Sequence, residues 1–208
     1  MDPLVFSRPG NTEGGAARVV LSIAASEFEV PPAGWPEPAH TETEEPTLYW
    51  DANWLAIDVR VEHEGRVFSR RDPCLETRDL LHIAKFFEKC AAAMAVFAAW
   101  GRPRLRSTLS FTEPNLELEV HSGPPCALRV YLAAECVPPF AQELDHTPAY
   151  DEDENVIGVS SVWLDFPISA VELREAAERV GNWATAFPAR DGGRGLGSVP
   201  PVTEGSPE

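Results

Sequence analysis

The chain has 208 residues, of which 44% are hydrophobic and six are tryptophan, with a net charge of −16. That is enough apolar material for one domain with a sizeable core. The charge repels nucleic-acid phosphates, which argues against direct DNA or RNA binding and favours a cationic partner.

Residues 1–17 read as a flexible N-terminus, with no basic start followed by an apolar core of the kind a secretion signal needs. Ala17–Val30, "ARVVLSIAASEFEV", reads as a first strand with a β-branched start. The Pro/Glu-rich segment 31–46 that follows is expected to be a surface loop. From Trp54 the alternation is regular: Leu55, Ile57, Val59 and Val61 fall on one face, and Ala56, Asp58, Arg60 and Glu62 on the other. Glu64-Gly65 sits at the centre of a predicted tight turn, with "RVFSRR" as the returning strand and Asp72-Pro73 as its end.

Thr77 is the candidate N-cap of the longest helix, which runs from Arg78 to about Trp100. Its second half, Cys90–Trp100, is apolar nearly all round. It is too short and too closely preceded by charges to span a membrane, and it must be buried or meet another chain. Two short strands are expected around Thr112-Glu113-Pro114. In the second of them Leu116, Leu118 and Val120 point inward, and Glu117 and Glu119 share the solvent side. "CALRVYLAAE" reads as a further strand, 137–155 as an acidic loop, and "VIGVSSVWLDFPI" as the last strand. Ser169 and Glu172 are expected to form a capping box for a final helix that buries Val171, Leu173, Ala177 and Val180 or near neighbours. The Gly/Pro-rich segment 191–208 is expected to be a disordered tail. Residues 18–190 therefore read as a single α+β domain. Its expected architecture is an antiparallel sheet of about six to seven strands, packed against one long central helix and a C-terminal helix.

Reaction chemistry finds little support. None of the five histidines lies at metal-ligand spacing with another, so no metal site and no cofactor is expected. The four cysteines, Cys74, Cys90, Cys126 and Cys136, form no CxxC pair and read as buried free thiols in a reducing cytoplasm. "GVSSV" lacks the glycine that follows the serine in a nucleophile elbow. Glu113, Glu117 and Glu119 could make a hydrolase-like carboxylate cluster only within a cleft that raises the pKa of one acid. An exposed, solvated strand face is the plainer reading. The remaining picture is a protein with no catalytic residues, presenting acids and aromatics as protein-binding surfaces do.

Four short blocks carry more information: "DANWL" (Asp51–Leu55), "RDPCL" (Arg71–Leu75), "EPNLELE" (Glu113–Glu119) and "FPAR" (Phe187–Arg190). In order and spacing they resemble the WapI family of bacterial immunity proteins, from about Arg18 to Arg190. The resemblance implies a cytoplasmic α+β protein encoded beside a polymorphic or contact-dependent toxin, which binds that toxin and blocks it. Such toxins are often nucleases and commonly basic, so an acidic inhibitor complements them. The block residues Asp51, Asn53, Trp54, Asp72, Pro73, Glu113, Pro114 and Asn115 are expected to be structural. Toxin contacts are expected in the acidic segments, at Glu42, Glu44, Glu45, Glu143, Asp145, Asp151, Glu152, Asp153 and Glu154. The competing reading is a non-catalytic ligand-binding or scaffold module, which a saturable, ligand-induced rise in Tm would reveal. Neither reading involves direct nucleic-acid or membrane contact.

Overall fold

A computed structural model describes residues 1–9, 18–28, 53–100 and 105–189, without the side chains of Arg18 and of 97–100. Among these residues the chain folds as β1 (Leu4–Pro9), β2 (Arg18–Phe28), β3 (Trp54–His63), β4 (Arg66–Glu76), α1 (Thr77–Trp100), β5 (Arg106–Ser110), β6 (Leu116–His121), β7 (Ala127–Ala133), β8 (Asp145–Tyr150), β9 (Val156–Pro167) and α2 (Ala170–Ala186). The α+β class is as expected, but the single sheet is not. The strands divide into a four-stranded sheet in the order β1-β2-β3-β4 and a five-stranded sheet in the order β5-β6-β7-β9-β8, with every pairing antiparallel. Both expected helices are present, but α1 is not a lone central helix with α2 set apart from it, because the two lie against each other.

The four-stranded sheet is a meander. Val19, Leu21, Ile23 and Ala25 of β2 are buried, as are Leu55, Ile57, Val59 and Val61 of β3. The β3–β4 turn has both central residues in the left-handed region, Glu64 at φ 51° and Gly65 at φ 78°, with His63 paired to Arg66. A two-residue turn of this hand matches the twist of the flanking strands, and glycine supplies the second position without strain.

Three segments of the chain differ from their expected form. First, residues 4–9 are not loose. Leu4 and Phe6 are buried, and the Phe6 ring lies 5.7 Å from that of Phe166 on β9, joining the two sheets. From α2, Arg179 donates to the Pro3 carbonyl at 2.8 Å and Trp183 to that of Asp2 at 3.2 Å. Second, β4 does not end at Asp72-Pro73 but continues to Glu76. Pro73 sits opposite Ala56 where the register shifts, on an edge strand whose free side tolerates a missing N–H. Third, segment 137–155 is not a single loop. A 3-10 turn at Ala141–Glu143 buries Phe140 and Leu144 alongside it, and 145–150 pairs with β9 as the sheet edge. Its sequence, "DHTPAY", alternates too weakly to announce a strand.

The inward faces of both sheets form one core with Leu80, Ile83, Phe87, Cys90, Ala91 and Met94 of α1 and with the buried stripe of α2. That stripe is Leu173, Ala176, Ala177, Val180 and Trp183; Val171, expected inside, is 59% exposed. The Ser169–Glu172 capping box is present, with the Glu172 amide donating to Ser169 Oγ at 3.2 Å and the Ser169 amide to Glu172 at 2.8 Å. In the second half of α1, Cys90, Ala91 and Met94 are buried and Val96 is exposed. Segment 31–46 and the 191–208 tail lie outside the described residues.

Candidate functional site

The four sequence blocks converge on the joints between elements. Asn53, at the entry to β3, accepts the Thr77 amide on its backbone oxygen at 3.0 Å and the Thr77 hydroxyl on Oδ1 at 3.4 Å. Trp54 pairs with Glu76 in the β3–β4 ladder. The start of α1 is thereby tied to the start of β3, and Asp79 in its first turn accepts the Glu76 amide at 2.9 Å. Asp72 is buried on β4 beside Pro73 and accepts from Asn115 Nδ2 at 2.9 Å, with Arg70 Nε at 3.6 Å. Asn115 also donates to Glu135 at 3.1 Å and accepts the Ala133 amide at 3.1 Å. Glu113 and Pro114 are exposed in the β5–β6 turn. Phe187, of the closing block, meets the Phe28 ring edge-on at 5.3 Å. Asp51 lies outside the described residues.

The carboxylate cluster is dispersed by its partners. Glu117 accepts from Ser110 Oγ at 2.6 Å. Glu119 shares the outward face of β6 with Glu117, but it is not on the solvent side as expected: it is 1% exposed. Arg106 from β5 and His121 two residues along both pair with it, and the Tyr131 hydroxyl from β7 lies 3.4 Å away. Period-2 alternation gives the face of a residue correctly but says nothing about long cross-strand side chains folding over it. Further across the same face, Arg129 makes a two-pronged pair with Asp165 at 2.6 and 2.8 Å and lies 5.4 Å over the Trp163 ring. Its guanidinium pKa is raised by that Asp165 pairing. The charges on this sheet face therefore largely satisfy one another.

One cluster with metal-ligand potential occurs among the described residues, made of His63, Glu64 and Glu143, whose donor atoms lie within 4.8 Å of one another. It was illegible in the sequence because it joins the β3–β4 turn to the distant 3-10 turn. Both Glu143 oxygens are engaged by Arg66, which holds the Glu143 carboxyl below its ordinary pKa range. Arg66 in turn lies 4.9 Å over the Phe140 ring. A metal ion here would have to displace that guanidinium, so the arrangement reads as an ion-paired clasp.

The acids expected to face a partner separate into two groups. Glu143 is taken up by Arg66, and Asp145 lies 4.0 Å from Arg8. Asp151, itself exposed, accepts the amides of Asn155 at 2.8 Å and Asp153 at 3.0 Å. Its carboxyl is held below the usual range by the Asn155 backbone amide first and the Asn155 side chain second. Glu152, Asp153 and Glu154 are exposed at the tip of the β8–β9 turn, and their carboxylates make no ion pair among the described residues. Glu42, Glu44 and Glu45 lie outside the described residues.

Sequence patterning missed the shape that carries these three acids. β9 pairs with β7 from Ser161 to Pro167, but from Val156 to Ser160 its described pairings are with β8 alone. The β8–β9 ribbon thus projects past the end of β7 as a two-stranded arm. Tyr150 and Val156, which face each other across it, are 57% and 65% exposed, and Ile157 is 66% exposed.

A family model described as the immunity protein WapI-like family matches residues 17–188. Neither a curated protein nor a solved structure matches the chain. No helix among the described residues is long and apolar enough to cross a membrane.

Proposed function

Because the chain belongs to the WapI-like immunity protein family, we propose that it acts in the bacterial cytoplasm by binding a cognate, basic toxin domain and blocking it, without breaking any covalent bond itself. The observation that carries this reading is the family match across 17–188, which spans both sheets and both helices apart from β1. The charge of −16 supports the sign of the partner, since an acidic inhibitor draws in a cationic protein and accelerates its capture. A nuclease domain, which must itself attract phosphate, fits that description. The block residues Asn53, Asp72 and Asn115 serve as scaffold in this account, and the outward-facing acids serve as contact. The test is co-expression of the toxin domain encoded beside this chain's gene, in cells with and without the chain. Growth restored by the chain supports the proposal; continued killing at equal expression overturns it.

A further inference from the structure

Outside the β8–β9 arm, the exposed large apolar side chains among the described residues are spread along the chain, with Met1 and Val5 at the start, Val67 on β4, Leu81 and Val96 fifteen residues apart on α1, Leu105 before β5 and Val171 on α2. Single exposed apolar residues are ordinary on a protein surface. The β8–β9 arm differs, because Tyr150, Val156 and Ile157 are gathered within one short hairpin that pairs with no third strand at its end. A two-stranded ribbon is marginal in water, and these side chains add little to it by packing inward. Covering them would remove their apolar surface from water.

We propose that this arm is the docking element, with Tyr150, Val156 and Ile157 as apolar anchors that enter a recess on the toxin domain; this rests on the toxin-binding reading above. The occupant is a basic protein because the anchors are bordered by Glu152, Asp153 and Glu154. The bonds of Asp151 to the amides of Asp153 and Asn155 set the shape of the tip that displays the other three acids. Strand addition along β8 is disfavoured, since Pro148 lacks an N–H and the register breaks at Thr147/Pro148 and again at Ala149/Tyr150. Recognition therefore runs through side chains at the tip, with the aromatic and branched residues holding the complex and the acids guiding its formation.

The experiment uses the full chain and the toxin domain encoded beside its gene. Binding is measured for the unaltered protein, for the combined variant Tyr150→Ser, Val156→Ser, Ile157→Ser, and for the combined variant Glu152→Gln, Asp153→Asn, Glu154→Gln. The apolar variant is expected to raise Kd by at least about tenfold through faster dissociation, and the acid variant to slow association. Amide exchange on the unaltered protein supplies a readout independent of any variant, with protection expected over 147–160 in the complex. Unchanged affinity of both variants with no protection of 147–160 overturns the arm as docking element while leaving toxin binding intact. Absence of binding by the unaltered protein removes the occupant and overturns both readings.

Discussion

Asn115 donates its side-chain amide to the carboxylate of Asp72 at 2.9 Å, and both residues are buried. Asp72 belongs to the four-stranded sheet, and Asn115 leads into β6 of the five-stranded one. The bond therefore fixes how the two halves meet. Asn115→Ala leaves a buried carboxylate short of a donor and also strips a partner from Glu135. It is expected to cost about 2–3 kcal/mol in urea or thermal unfolding. A loss below about 0.5 kcal/mol would show that the junction does not depend on this pair.

Glu119 and Arg106 give an asymmetric prediction. Glu119 is buried, whereas the Arg106 side chain is 66% exposed. Glu119→Gln returns Arg106 to water and keeps a polar group of the same shape. Arg106→Ala strands a buried carboxylate with only His121 and Tyr131 beside it. Arg106→Ala is therefore expected to destabilise more than Glu119→Gln, which thermal unfolding of the two variants will decide. The reverse order would contradict the assignment of Glu119 as the buried member of the pair.

The acid response follows from Asp151 and Glu143, whose pKa values are both depressed in the folded protein, the first by Asn155 and the second by Arg66. A depressed carboxyl contributes stability above its ordinary pKa, and that contribution is lost as pH falls through the lower folded-state value. The Asp153 and Asn155 amides should thus exchange faster, relative to their intrinsic rates, once the pH drops below the ordinary Asp value of 3.8. Asp151→Ala should show the faster exchange already at neutral pH and lose the acid dependence. Identical behaviour of the variant and the unaltered protein at these amides would contradict the role given to Asp151.

Thiol chemistry should be slow. Cys74, Cys90 and Cys136 are buried and Cys126 is partly exposed. Hydrogen bonding to Cys136 and burial raise the Cys74 pKa, and burial pushes the Cys90 thiol up to about 11, whereas the bond to Cys74 lowers the Cys136 pKa, so Cys136 is protected by burial alone. A disulfide-exchange reagent at mildly alkaline pH is expected to modify Cys126 first, and the other three only on unfolding. Rapid native-state labelling of Cys74 or Cys90, mapped by mass spectrometry, would contradict their burial.

Elements with strong periodicity were legible in the sequence. β3 alternates cleanly, α1 repeats its apolar residues at helical spacing, and Ser169 with Glu172 marks the start of α2. Elements whose pairing is decided by distant partners were not. β1 is a short edge strand held by Phe166 and Trp183, and β8 is a polar edge strand containing a proline. The division into two sheets was equally hidden, since alternation specifies a buried face but not which strand lies beside it. At the candidate site, charge marked segment 137–155 correctly as acidic, but it could not tell Asp151, which bonds its own turn, from Glu152–Glu154, which face outward. Nor could it show that Tyr150, Val156 and Ile157 stand on a projecting arm, because strand alternation reads the same for a supported and an unsupported ribbon.

The most direct test is the association rate between this chain and any toxin domain found encoded beside its gene, followed from about 0.05 M to about 0.5 M salt. Complex formation is expected to slow by at least about tenfold over that range, as for an acidic inhibitor capturing a basic toxin. A rate indifferent to salt, or a toxin domain that the chain neither binds nor neutralises, would contradict it.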